Sequence, residues 1–306
     1  MILTRTTSSK SKGVVSPVEM RLFGPISRDE MTLSYLEKII TTSDLDLLEV
    51  LRNLEPGCLG TILISMRSTK YIWTDHICSI PLVYNSSTLE ITDNLRHNAD
   101  YDISREQIDV FKSSGFTAPG TTIYSAWKRT EPECVYSISD KINKFKRTKK
   151  KLQIPHDLSE IVSNIFDDIV SRSKGRKIWI PLSGGYDSIF ILLEISKRTE
   201  NYACFTYGPT VNKEMENAEY VTTILNSEWH KVPLVDPHVP HLTGWPDIES
   251  YLLENFNGFT TPPINDVYQI EQLKKDGYIV DGDTIINGQS GDFATGGHDY
   301  EENESS

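Results

Sequence analysis

The feature that most constrains this chain is a short turn, SGGYDS at residues 183–188, which lies between a predicted strand and a predicted helix. The strand is the apolar run from Lys177 to Leu182, and the helix contains the apolar run from Ile189 to Ile195. A buried strand that turns directly into a helix is the repeating unit of parallel α/β sheets. The turn therefore predicts an α/β fold for this half of the chain.

The same turn has the chemistry of a phosphate site. The start of a helix offers unpaired backbone N–H groups and the positive end of the helix dipole. Gly184 and Gly185 let the backbone approach phosphate oxygens where a Cβ would collide, and Ser183 and Ser188 add hydroxyl donors. Asp187 would repel a phosphate unless a cation intervened, which predicts Mg²⁺ between its carboxylate and the phosphates.

Strand and helix patterns alternate around this turn. A helical stripe runs from Leu158 to Val170, a strand from Tyr202 to Tyr207, a helix from Lys213 to Leu225 and a strand from His230 to Val235. This alternation predicts a parallel sheet with flanking helices over residues 152–298. Residues 299–306 are expected to form an acidic tail.

The first half has a different character. Residues 1–20 are rich in Ser, Thr and Lys and are expected to form a loose leader. Residues 21–145 combine one helical pattern at 31–54 with short β-branched and aromatic runs, which predict an antiparallel α+β domain. The basic run at residues 144–151 is expected to be a solvated linker between the two domains.

Several segments resemble the asparagine synthetase family. The SGGYDS turn resembles the PP-loop of N-type ATP pyrophosphatases, which split ATP between its α- and β-phosphates. Residues 287–297, NGQSGDFATGG, resemble the glycine- and acid-rich loop G-E-G-[SG]-D-E-x-x-x-G-G of asparagine synthetases. Residues 74–84, TDHICSIPLVY, resemble a strand pair of that family's glutamine-hydrolysing domain. The resemblance covers roughly residues 45–298.

The resemblance implies a PP-loop ATPase fold of the adenine-nucleotide α-hydrolase type, preceded by a shortened N-terminal-nucleophile-like domain over residues 21–145. It also implies that ATP activates a carboxylate as an acyl-adenylate, that pyrophosphate is released, and that ammonia forms an amide. The nucleotide contacts expected from the turn and the resemblance are Pro181, Leu182, Ser183, Gly184, Gly185, Tyr186, Asp187, Ser188, Tyr207 and Gly288, with Mg²⁺ on Asp187 and Asp292 and catalysis by Asp187, Gln289 and Asp292.

Three departures from the family pattern shape the expected reaction. The family's glutaminase uses an N-terminal cysteine whose own α-amine is the base, whereas residue 2 is Ile2 and the first cysteine is the internal Cys58. We therefore expect no glutamine hydrolysis, and ammonia that is free or supplied by a separate glutaminase. Gln289 and Phe293 replace two acidic residues of the second loop. The SIPLVY segment and the GQSGDF…GGH segment are similar to those of asparagine-synthetase-like proteins of bacterial surface-polysaccharide gene clusters, so the acceptor is expected to be a sugar uronate or aspartate.

The third departure is that the family continues well past the second glycine loop, where further residues contact the acceptor. Either the sequence is a fragment, or another polypeptide completes the site. The alternative hypothesis keeps the fold without the catalysis: a degenerate protein that binds ATP or a partner.

Composition excludes other classes. The net charge of −12 argues against a nucleic-acid partner and against a tRNA-modifying relative. No apolar run approaches the roughly 18 residues of a membrane span, and the N-terminus has no apolar core of signal-peptide length, so a cytoplasmic protein is expected. The four cysteines form no CxxC pair, which favours reduced, mostly buried thiols over a zinc or redox site.

Overall fold

A computed structural model of the chain describes residues 2–11, 14–24, 30–41, 46–55, 59–95, 101–148, 158–208, 213–233, 248–262 and 264–288. The chain packs as two compact units. The first contains residues 1–152 and 247–262, and the second contains residues 153–246 and 263–306. The segment 247–262, which the sequence predicted to lie within the second domain, therefore packs with the first.

The described elements up to residue 152 are β1 (Ile2–Ser11), β2 (Val14–Phe23), α1 (Glu30–Thr41), α2 (Leu47–Arg52), β3 (Thr61–Met66), β4 (Thr69–Thr74), β5 (Val83–Asn85), β6 (Ile91–Thr92), α3 (Arg105–Ser114), β7 (Trp127–Arg129), β8 (Cys134–Ile138) and β9 (Ile142–Lys146). Those after residue 152 are α4 (Leu158–Ser173), β10 (Ile178–Pro181), α5 (Tyr186–Ser196), β11 (Tyr202–Gly208), α6 (Lys213–Leu225), β12 (Trp229–Pro233), α7 (Ile248–Asn255), α8 (Ile264–Lys275) and β13 (Thr284–Ile285).

The first unit is built on a six-stranded antiparallel sheet in the order β1-β2-β3-β4-β8-β9. One face carries α1 and α2, whose buried residues include Leu36 and Leu51. The other face packs against residues near the small sheet β6-β5-β7, among them Leu82. Successive residues of a strand pack into the two cores in turn: Ile62 packs on the helical face and Leu63 on the opposite face.

The predicted loose leader is wrong. Residues 2–11 and 14–23 form the β1–β2 hairpin, paired in register from Ile2 with Phe23 to Ser11 with Val14. Val18, Met20 and Leu22 are fully buried and alternate with polar residues, which is the period of a strand with one face on a core. The polar composition of residues 1–20 concealed this alternation.

The start of the basic run at residues 144–151 is part of the sheet and not a linker. β9 extends to Lys146, and Lys144 Nζ donates to Glu131 Oε1 at 2.6 Å. The helix predicted at 31–54 is described as α1 and α2.

A buried carboxylate organises the segment 74–84, which the sequence likened to a strand pair. Asp75 is 2% exposed and accepts hydrogen bonds from the backbone N–H groups of Gly60, Ile77 and Ser79 at 2.6, 2.9 and 3.1 Å. A carboxylate with several N–H donors fixes a turn strongly. The function of Asp75 that these contacts support is therefore structural.

The second unit confirms the predicted parallel sheet with flanking helices. Its strands lie in the order β12-β11-β10-β13, and all neighbours are parallel. In the middle of the sheet, Ile178, Trp179 and Ile180 are all buried, because a parallel strand has helices on both faces. One core includes Ile180, Leu182 and Leu192, and the opposite one includes Trp179, Phe205 and Leu273 of α8.

The strand order contains a topological switch point at β10. From β10 the chain proceeds to β11 and β12 on one side, and it later returns to place β13 on the other side of β10. The connections on the two sides diverge there and leave a crevice outside the carboxyl ends of the strands, where open α/β sheets bind ligands. The turn after β10 and the segment after β13 both lie at this crevice.

Candidate functional site

The turn after β10 is held by hydrogen bonds between its own residues. Ser183 N donates to Ser188 Oγ at 3.2 Å, Gly185 N donates to Ser183 Oγ at 3.3 Å, and Ser188 Oγ donates to Gly185 O at 3.1 Å. The two hydroxyl oxygens are 3.1 Å apart. Ser188 is buried and its proton is directed at the turn, so Ser183, which is exposed, is the better placed hydroxyl for a ligand.

The start of α5 offers free donors. Its N-cap residue is Gly185, which has no side chain to cap the helix. Within the described part of the chain, the N–H groups of Tyr186, Asp187 and Ser188 have no hydrogen-bond acceptor. Uncapped N–H groups at a helix start bind anions, aided by the helix dipole.

The two glycines of the turn have different environments. Gly184 has a φ of +73°, and a Cβ on it would lie 2.6 Å from Asn217 Cβ of α6. It is therefore required by the turn conformation and by packing on α6, and it does not line the cavity. A Cβ on Gly185 would meet only Ser183 Oγ, at 3.3 Å, so Gly185 is the glycine that leaves room beside the helix start.

A cavity of about 950 Å³ opens at the carboxyl edge of the sheet. It is lined by Pro181, Leu182, Ser183, Gly185, Tyr186, Asp187, Ser188, Phe205, Thr206, Tyr207, Glu214, Gln269, Ile270, Ile285, Asn287 and Gly288. Nine of the ten residues expected to contact nucleotide lie together here, and Gly184 is the exception. Gln289 and Asp292 lie outside the described residues. The volume is within the range of small-molecule sites.

Gly288 brings the segment after β13 close to the turn after β10. A Cβ at this position would lie 3.1 Å from Ser188 N and 3.2 Å from Asp187 Cβ. The backbone that leaves β13 thus reaches the first turn of α5, and a side chain at Gly288 would require its neighbours to move by a few tenths of an ångström.

Some lining residues were not expected from the sequence. Phe205 and Thr206 lie near the end of β11, and the strand-end rule could have found them. Ile285 follows from the same rule applied to β13. Gln269 and Ile270 belong to α8, and nothing in the sequence indicated which turn of that helix faces the cavity.

The charged side chains that line the cavity are acidic. Its described lining contains the carboxylates of Asp187 and Glu214 and no Lys or Arg. A triphosphate in such a site needs a cation to offset the repulsion. The described residues contain no group of three or more His, Cys, Asp or Glu that could hold a metal by themselves. Mg²⁺ commonly uses one or two carboxylates together with phosphate oxygens and waters, so Asp187 beside the helix start fits that mode.

The described thiols, Cys78, Cys134 and Cys204, are free. Burial, with a smaller contribution from the nearby Glu228, raises the pKa of Cys204 to about 12. Burial also raises the pKa of Cys78 to about 11, opposed by a hydrogen bond with Thr130 and assisted by Asp75. A raised pKa removes the nucleophilic thiolate, so neither thiol has the environment of a catalytic cysteine. No helix among the described residues is long and apolar enough to cross a membrane.

No protein-family model matches the chain, and no curated protein does. Among solved structures, it is similar to an NH3-dependent NAD synthetase from Campylobacter jejuni, with 15% identity and a TM-score of 0.32 over 45% of this chain and 58% of that one. It is also similar to a glutamine-dependent NAD+ synthetase from Acinetobacter baumannii, with 10% identity and a TM-score of 0.31 over 97% of this chain and 62% of that one.

The chain thus spans less than two thirds of the length of either NAD synthetase. At these TM-scores the two similarities carry no argument about fold or activity.

Proposed function

We propose that the second unit binds ATP and uses it to activate a carboxylate for amidation. The observation that supports this most is the cavity at the strand switch point, where the SGGYDS turn and the Asn287–Gly288 segment form one wall. Ligand sites of parallel α/β sheets lie at such points, and an uncapped helix start is suited to phosphate.

In this proposal the chain positions the triphosphate through backbone donors. The N–H groups of Tyr186, Asp187 and Ser188 bind phosphate oxygens, and the Ser183 hydroxyl adds a donor. Asp187 would hold Mg²⁺, with Asp292 proposed as a second ligand. Bound Mg²⁺ supplies charge neutralisation for the leaving pyrophosphate.

The reaction has two steps. A carboxylate oxygen of the acceptor attacks the α-phosphorus, the α–β bridging P–O bond breaks, and pyrophosphate leaves, which gives an acyl-adenylate. Ammonia then attacks the acyl carbon, AMP leaves, and one proton is released as the amide forms. Donors fixed before the reaction stabilise charge on the leaving group without reorganisation.

The finer assignment rests on the resemblance to asparagine synthetases. We propose that the acceptor is aspartate or a sugar uronate of a surface polysaccharide, and that ammonia is free or comes from a separate glutaminase. Gln289 would hydrogen-bond but could not act as a base. The alternative, a degenerate ATP-binding or partner-binding protein, is favoured by that same residue.

The test is ATP turnover with candidate carboxylates. The protein is incubated with MgATP, ammonium and aspartate or a uronic acid, and AMP and pyrophosphate are quantified. Hydroxylamine in place of ammonium traps an acyl-adenylate as a hydroxamate. Equal amounts of AMP, pyrophosphate and amide support the proposal. Calorimetric binding of ATP without turnover of any carboxylate supports the degenerate alternative, and absence of ATP binding refutes both ATP proposals.

A further inference from the structure

The helix α8 places a buried amide without a hydrogen-bond partner beside the cavity. Gln269 is 1% exposed and lines the cavity. Its Nε2 has no hydrogen-bond partner among the described residues. A buried donor left unsatisfied costs about 1–3 kcal/mol, and most such groups in proteins are paired. A native glutamine in this position therefore calls for a partner.

The position of Gln269 separates it from the phosphate end of the cavity. Phe205 and Tyr207 lie two residues apart on β11, so they share one face, and both belong to the core that includes α8. Ile270, next to Gln269, belongs to the same core. The turn at 183–188 runs into the first residues of α5, which packs in the core on the opposite face. The cavity therefore has a phosphate end on the α5 face and an apolar end on the α8 face.

We propose that Gln269 selects the nucleobase, a specificity role that rests on the proposed ATP binding. The apolar end has rings and aliphatic groups suited to a flat base: Pro181, Phe205, Tyr207, Ile270 and Ile285. Gln269 and Asn287 carry the amide side chains among the described residues lining the cavity, and of the two only Gln269 is buried.

A purine matches the chemistry of this amide. Adenine presents ring nitrogens that accept hydrogen bonds beside an exocyclic amine that donates, and a glutamine amide can donate to N1 or N7 while accepting from N6. A phosphate or carboxylate would satisfy Nε2 but would leave its own charge in an apolar wall, which is costly. The base is therefore the part of ATP that fits this end of the cavity.

The test combines a variant with altered nucleotides. Gln269→Met keeps the approximate size of the side chain and removes both polar atoms. Binding of ATP, 7-deaza-ATP, 1-deaza-ATP and purine riboside triphosphate to the full chain is measured by calorimetry. We expect wild type to bind at least one deaza analogue about tenfold more weakly than ATP. We expect Gln269→Met to bind ATP about tenfold more weakly and to lose that discrimination.

Two controls separate base selection from other effects. Inorganic tripolyphosphate should bind wild type and Gln269→Met equally, since it has no base. Gln272→Met, on the same helix, removes an amide whose Nε2 already contacts Asp276 Oδ1 at 3.4 Å, and it should leave ATP affinity unchanged. The unfolding midpoint of Gln269→Met should be equal to or above that of wild type, because an unsatisfied buried donor is removed.

The outcomes distinguish the inference from the proposed function. Wild-type protein that binds no ATP refutes the proposed function and the inference with it. ATP binding that is equal in wild type and Gln269→Met overturns the inference alone. If Gln269→Met lowers the unfolding midpoint and weakens the binding of tripolyphosphate as much as that of ATP, another part of the chain satisfies the amide. Gln269 then has only a structural role.

Discussion

Gly288 lies so close to Ser188 that a Cβ on the glycine would stand 3.1 Å from the serine backbone nitrogen. That nitrogen is one of the donors at the start of α5. The end of β13 and the turn after β10 therefore form one surface, although they are far apart in the sequence. Any atom added at Gly288 enters the space between the segment after β13 and the start of α5.

Gly288→Ala is expected to weaken ATP binding by about tenfold, because the new methyl group contacts Asp187 and Ser188 at distances that few Cβ atoms tolerate. Calorimetric titration with MgATP measures this. Gly277→Ala is the control: it has a φ of +79° and open space around it, so it should cost stability and not affinity. Equal ATP affinity in Gly288→Ala and wild type would contradict the contact.

Gly184→Ala is expected to destabilise the protein more than Gly175→Ala. Both glycines have left-handed backbone, with φ of +73° and +76°, which costs an alanine about 1–2 kcal/mol. Only at Gly184 would the new Cβ also meet Asn217 Cβ, at 2.6 Å. Denaturant unfolding of both variants measures the difference, which isolates the packing of the turn on α6. Equal destabilisation would show that the turn can move away from α6 at no cost.

Asp187→Asn is expected to abolish the Mg²⁺ dependence of ATP binding. The amide keeps the shape of the side chain but loses the charge that draws the cation. Titrations with ATP in Mg²⁺ and in EDTA should differ for wild type and coincide for the variant. Asp276→Asn, an exposed change beyond the end of α8, should behave like wild type. A variant that retains full Mg²⁺ dependence would place the metal elsewhere.

Cys78 is expected to react slowly with iodoacetamide and to be inert to glutamine analogues. The thiolate is the reactive form, and a pKa raised to about 11 reduces its population at pH 8 by about 100-fold relative to a thiol of pKa 9. The alkylation rate should rise about tenfold per pH unit towards pH 11 and then level off. Peptide mass spectrometry follows each cysteine separately. Rapid labelling of Cys78 at pH 7, or glutamine hydrolysis, would contradict the assignment.

Local sequence patterns predicted much of the second unit. The strand around Ile180, the turn at 183–188 and the parallel sheet follow from burial on both faces and from glycine placement, which are short-range signals. The fold of the first unit was harder to predict, because Val18, Met20 and Leu22 alternate with polar residues inside a segment whose overall composition is polar. There the period-two pattern was a better guide than composition.

The candidate site was predicted on one side only. Glycine and acid patterns in the sequence indicated Asp187 and Gly288 as candidate site residues, and both line the cavity. Gln269 was not found, because a glutamine in an amphipathic helix has no local signal. The role proposed for it depends on its being buried at the cavity with its Nε2 unpaired among the described residues, which is a property of the packing.

The sequence by itself determined that a strand, the SGGYDS turn and a helix follow one another, since backbone conformation at glycine and the pattern of apolar residues are local properties. Only the tertiary structure decided that β13 lies beside β10, that Gly288 contacts the start of α5, and that Gln269 lines the opposite end of the cavity. These contacts join residues that are distant in the chain. They are stabilised by the burial of apolar surface, which no local sequence pattern encodes.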